Sequence, residues 1–123
     1  MESKNIIKDK SFDFAISTVR LYQKLTSEKK EFVISKQLLR SGTSTGALIR
    51  EAEQGQSKKD FIHKMSIAQK EINETLYWIE LLNATHFLET ELFQKTHHSA
   101  LEILKLLTAI IKTSKSNLPQ TKQ

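Results

Sequence analysis

The sequence predicts an all-α protein, an antiparallel up-down four-helix bundle in a single domain. Three observations carry this. One Pro and three Gly among 123 residues leave little punctuation for strands and tight turns. Phe61, Met65, Ala68, Ile72, Leu76 and Ile79 recur at the spacing of a bundle seam, as do Phe93, His97, Ala100, Leu104, Leu107 and Ile111. The segments between the periodic stretches are short, which favours up-down neighbours.

Residues 1–10 read as a flexible, polar N-terminal segment, with the bundle over 11–114 and a flexible tail over 115–123, where Pro119 ends any helix. Ser11 is the expected N-cap of a first helix reaching Thr26, with Phe12, Ala15, Ile16, Val19 and Tyr22 on its main face and Phe14, Leu21 and Leu25 nearly opposite. A second helix is expected from Glu31 to Gln54, with Ile34, Leu38, Thr45, Ile49 and Ala52 inward. Gly42 and Gly46 each cost about 1 kcal/mol in a helix relative to Ala, so they mark either a close helix crossing or a break. Gly55 is the natural C′ residue, and Ser57 to Asp60 reads as a capping box opening a third helix that ends near Ala84. The fourth helix is expected over Glu91–Ser114.

The helices carry more apolar surface than one seam needs. Phe14, Leu21, Leu25, Ile67, Trp78, Leu81, Leu92, Ile103, Leu106 and Ile110 form second strips. Either the core contacts are wide, or these strips meet other subunits, and the extent of the strips favours a homo-oligomer.

Chemistry is sparse. The chain has no Cys, so thiolate metal sites and disulfides are excluded and a reducing, cytoplasmic setting is expected. No apolar run approaches membrane-spanning length, so no membrane partner is expected. Asp60-x-x-His63 occurs once, too little for a di-iron bundle, and His97 on an apolar stripe reads as a packed residue. Gly42-Thr43-Ser44-Thr45-Gly46 lacks the Gly-Lys-Ser/Thr of a phosphate loop. Glu51, Glu53, Glu71 and Glu74 read as solvated or paired, so neither a catalytic set nor a cofactor site emerges and no enzyme is expected. What remains is basic charge: a net +5, with Lys36, Arg40 and Arg50 on one arc of helix two, Lys58 and Lys59 where a helix dipole disfavours cations, and Lys64 beyond. These six residues are the candidate contacts to a phosphate backbone. No aromatic residue interleaves with them in sequence, so no stacking platform is expected.

Arg40-Ser41-Gly42-Thr43-Ser44, Gly46-Ala47, Glu51-Ala52, Ser57-Lys58-Lys59-Asp60-Phe61, Ser66-Ile67-Ala68, Glu71, Glu74-Thr75 and Tyr77-Trp78 together resemble the 23S ribosomal RNA intervening-sequence proteins. The resemblance spans nearly the whole chain and is densest from Leu38 to Leu82. It implies a four-helix bundle assembling into a ring-like homopentamer, with RNA or a nucleic-acid-processing protein as partner and no established catalytic residues. The chain departs from the family pattern at Leu48, where members often carry Asn, and at Thr45, where they carry an aliphatic residue. The reading that competes with RNA binding is a protein-interaction scaffold with no nucleic-acid ligand.

Overall fold

The computed structural model describes residues 3–119. They form four helices: α1 (Ser3–Ser27), α2 (Ile34–Glu53), α3 (Lys58–Ala84) and α4 (Thr90–Ser116). Among the described residues α1 packs on α2, α2 on α3, α3 on α4 and α4 back on α1, most extensively at α2–α3 and least at α1–α4. Among the described residues the backbones of the diagonal pairs do not approach closely, and side chains from all four helices share one core. Among the described residues no helix is long and apolar enough to cross a membrane.

The first helix differs most from expectation. It begins at Ser3, so residues 3–10 belong to the bundle, and Ser11 sits in its interior with its hydroxyl donating to the Lys8 carbonyl at 3.1 Å. The face that enters the core is Ile7, Ser11, Phe14, Thr18, Leu21 and Leu25. These alternate four- and three-residue steps, the heptad spacing, but two of the six are small polar residues and the stripe is therefore faint in sequence. Phe12 and Val19, on the expected main face, are 49% and 39% exposed.

The reason is the crossing with α2. A Cβ on Gly42 would stand 2.7 Å from Thr18 Cγ2 and 2.8 Å from its Oγ1, and one on Gly46 would stand 3.3 Å from the Ser11 carbonyl oxygen. Small residues face small residues here, and the backbones approach more closely than larger side chains would permit. The Ser11 and Thr18 hydroxyls donate back to carbonyls of their own helix, Thr18 to Phe14 at 2.8 Å, so neither is left unsatisfied when buried. Helix α2 is unbroken through both glycines.

The ends have identifiable devices. Glu31, expected inside α2, stands ahead of it. Its carboxylate accepts from the backbone N–H groups of Val33, Ile34 and Ser35 at 3.1, 3.0 and 2.7 Å, while the Ser35 hydroxyl donates to the Glu31 carbonyl at 2.7 Å. Burial of this carboxyl favours its neutral form, but the three backbone donors and the Ser35 hydroxyl outweigh that and hold its pKa below the ordinary value. Ser57 caps α3 by accepting from Asp60 N–H at 3.1 Å, and Asp60 reaches back one residue further than a usual capping box, to Gln56 N–H at 3.2 Å. Gly55 has no positive φ; a Cβ there would stand 2.9 Å from Asp60 Oδ2 and 3.0 Å from the Ala52 carbonyl oxygen, which favours glycine. His86, at φ 70°, takes the left-handed position after α3, with Phe87 N–H bonded to the Leu82 carbonyl at 2.9 Å, the Schellman pattern.

The predicted stripe of α3 is buried throughout: Phe61, Met65, Ala68, Ile72, Leu76 and Ile79. That of α4 is rotated. Ala100, Ile103, Leu107, Ile110 and Ile111 are buried, whereas Phe93, His97 and Leu104 are half-buried. Both flanks of α4 are apolar, so periodicity alone does not choose between them. Beyond α4, Leu118 packs against the core, so the segment expected to be a free tail contributes there; residues 120–123 lie outside the described residues.

The crossing is open to test. Gly42→Ala gains helix propensity but drives a methyl into Thr18, and the overlap should win by about 1–3 kcal/mol in urea denaturation. Adding Thr18→Ala to it should recover part of the loss. A stability equal to the parent's would show that the close approach is not tight.

Candidate nucleic-acid interface

The six basic candidates fall into two groups. Lys36 and Arg40 lie toward the N-terminal end of α2. Arg50, Lys58, Lys59 and Lys64 gather around the α2–α3 turn, with Arg50 about 21 Å along the helix from Lys36 at 1.5 Å per residue.

Their electrostatic states differ. Arg40 is consumed by the α2–α3 seam: Nη1 donates to Glu71 Oε1 at 3.0 Å, and Nη2 makes a short contact with Glu74 Oε2. Hydrogen bonds to Glu74 and then to Glu71 raise its already high pKa further. Glu74 also accepts from Trp78 Nε1 at 3.0 Å, and this bond, followed by the one from Arg40, holds its pKa below the ordinary carboxylate value. Ser44 Oγ donates to Glu71 Oε1 at 3.2 Å, and beneath it Thr75 Oγ1 lies 2.8 Å from Ser41 Oγ. The glycine-serine-threonine run is thus helical backbone and interhelical hydrogen bonding. Arg40 thus differs from the other candidates in having its charge met by two carboxylates.

Lys64 Nζ pairs with Glu51 Oε1 at 3.2 Å. Arg50 lies over the Phe12 ring, 5.0 Å from its centroid, and has no carboxylate partner among the described residues. Lys36, Lys58 and Lys59 are exposed and likewise unpaired among the described residues. A cleft of about 540 Å³ opens at the turn, with Arg50, Glu51, Gln54, Gln56, Asp60 and Lys64 around it. No aromatic residue interleaves with these charges in sequence, but α1 brings Phe12 to Arg50 across 38 positions.

The subunit-surface candidates also divide. Phe14, Leu21, Leu25, Ile103 and Ile110 are buried within the chain itself, at 8% exposure or less, and therefore present no surface to another subunit. Their strips are the core faces of α1 and α4. Trp78, Leu92 and Leu106 are half-buried against the core, and Ile67 and Leu81 are half-buried. His97, expected to be packed, is half-buried and meets Glu80 at 2.9 Å, with the Phe93 ring 5.2 Å away. Among the described residues no group of three His, Asp or Glu side chains is placed to hold a metal ion.

Residues 3–109 match the family model described as 23S rRNA-intervening sequence protein. The chain belongs to that family. The crystal structure of an S23 ribosomal protein family member of unknown function from Bacteroides thetaiotaomicron is similar throughout, with a TM-score of 0.89 and 55% identity over 90% of this chain and 99% of that one. No protein of curated function matches. Membership in the intervening-sequence family accounts for the fold without assigning a ligand.

The chain's only Trp reports on the α2–α3 network. Because the pKa of Glu74 is depressed, its ion pair and Trp bond contribute stability above the ordinary carboxylate value of 4.5 and lose it as pH falls through the lower folded value. Arg40→Met should move the midpoint of the acid titration of Trp78 fluorescence upward, at a cost in stability of at most about 1 kcal/mol because the pair is partly exposed. An unmoved midpoint would mean that Arg40 does not set the ionisation of Glu74.

Proposed function

We propose that the protein is a non-enzymatic cytoplasmic bundle that binds RNA or a ribonucleoprotein through the basic surface at the α2–α3 turn. One observation carries this reading: Arg50, Lys58 and Lys59 lie at one turn, solvent-exposed, without a carboxylate partner among the described residues, in a chain where Arg40 and Lys64 are paired. Two of them occupy the first turn of α3, where the helix dipole opposes a cation, so an anionic ligand there would relieve a local conflict.

Salt dependence tests it. Binding to structured RNA should weaken linearly in log–log form with salt, and Lys58→Gln with Lys59→Gln should lower the slope by about 0.7–0.9 for each phosphate no longer neutralised. Arg40→Met should leave the slope nearly unchanged. Binding that is absent at low salt, or indifferent to salt, would overturn the reading.

The same proposal includes a ring-like homo-oligomer of antiparallel bundles, pentameric as in the family. The pairing register supports opposed neighbours, since Arg40 meets Glu71 and Glu74 while Lys64, earlier on α3, meets Glu51, later on α2. Phe12, Val19 and Tyr77 supply outward apolar surface. A protein-interaction scaffold is the second reading, favoured by Phe32 and Val33, 57% and 74% exposed side by side in the α1–α2 connection. Light scattering should return a mass near five times the 14.2 kDa chain; a single species of chain mass at micromolar concentration would exclude the ring.

A further inference from the structure

We propose that the cleft at the α2–α3 turn takes one unpaired nucleotide of an RNA strand, its base stacked on the Arg50 guanidinium and its edge met by Gln54, Gln56, Glu51 and Asp60. The inference rests on the RNA-binding reading above and specifies where and in what form the RNA is held.

The stacking surface comes first. The guanidinium carbon of Arg50 lies 5.0 Å from the centroid of Phe12, whose side chain is half exposed. The ring contact holds the exposed guanidinium without a carboxylate partner among the described residues, so its planar surface and N–H groups are available to a ligand. Bases splayed from single strands stack on guanidinium planes as well as on aromatic rings.

The cleft beside it has the wrong charge for a bare phosphate and the right one for a base. Glu51 and Asp60 stand among its walls with Arg50 and Lys64. Glu51 gives one oxygen to Lys64 and Asp60 gives one to Gln56 N–H, and each keeps a second oxygen as acceptor. Carboxylate oxygens repel phosphate but accept the amino and imino hydrogens that line a base edge, and the side-chain amides of Gln54 and Gln56 offer both donor and acceptor. The depression is shallow and open to solvent, so a base carried on a strand can reach it without any opening of the bundle. Lys58 and Lys59 lie in sequence between Gln56 and Asp60 and are unpaired among the described residues, which supplies cations for the flanking phosphates. A duplex would offer no free base face, because its bases are stacked, and its Watson–Crick edges are taken up by pairing. The site therefore selects single strands.

The test is fluorescence anisotropy on the full chain with two probes, a short unstructured single-stranded RNA and the same strand fully paired. The parent protein should prefer the single strand. Arg50→Lys keeps the charge and removes the planar surface; it should weaken single-strand binding about tenfold while leaving duplex binding and the salt slope unchanged. Phe12→Leu should act in the same direction, and circular dichroism should show Arg50→Lys as helical as the parent, since Arg50 is exposed. Unaltered single-strand affinity in Arg50→Lys, with salt-dependent RNA binding intact, overturns the nucleotide site alone. Absence of binding to either RNA at low salt overturns both it and the RNA-binding reading.

Discussion

The close crossing of α1 on α2 governs most of what is distinctive here. Thr18 closes over Gly42 and Ser11 over Gly46, so the two backbones meet through small side chains. That contact fixes the rotation of α1 about its own axis. Once Ser11 and Thr18 face inward, Phe14, Leu21 and Leu25 follow them into the core, and Phe12 and Val19 must turn outward. The arrangement gives up two apolar core positions in α1 and recovers close packing along the seam. It also delivers Phe12 to Arg50, four residues beyond Gly46 on α2.

Charge is distributed with equal consequence. The α2–α3 seam is held on its outer side by Arg40, Glu71, Glu74, Ser44 and the Trp78 indole, a network in which each group answers another. Near the turn the same two helices carry cations with fewer answers. A uniformly basic surface would attract any polyanion and discriminate poorly, whereas paired cations contribute little to long-range attraction. At the turn, Arg50, Lys58 and Lys59 stand without carboxylate partners among the described residues, beside a cleft whose own walls are of mixed sign. Membership in the 23S rRNA-intervening sequence family gives that end a context without naming its ligand.

The helix count, the core stripe of α3, the Ser57 cap and the continuity of the family resemblance were all legible in the residues, because strong periodicity and cap chemistry are local properties. Legibility failed where two faces of one helix were equally apolar. In α1 the stripe of Phe12, Ile16 and Val19 looked better than one interrupted by Ser11 and Thr18, and in α4 Leu104 and Ile103 offered rival faces. The second apolar strips were for this reason half core, as the burial of Phe14, Leu21, Leu25, Ile103 and Ile110 makes plain. The basic candidates were found as residues but not as partners; only their carboxylate neighbours separate Arg40 from Lys58.

By itself, then, the amino-acid sequence determined that this is an all-helical domain and where α3 lies, since those follow from spacing along one chain. It determined the basic inventory as well. Which face of α1 is buried, which cations stay unpaired and that Phe12 meets Arg50 were decided by tertiary structure alone. Each depends on how one helix is rotated against another, and that rotation is set by contacts between residues far apart in the chain.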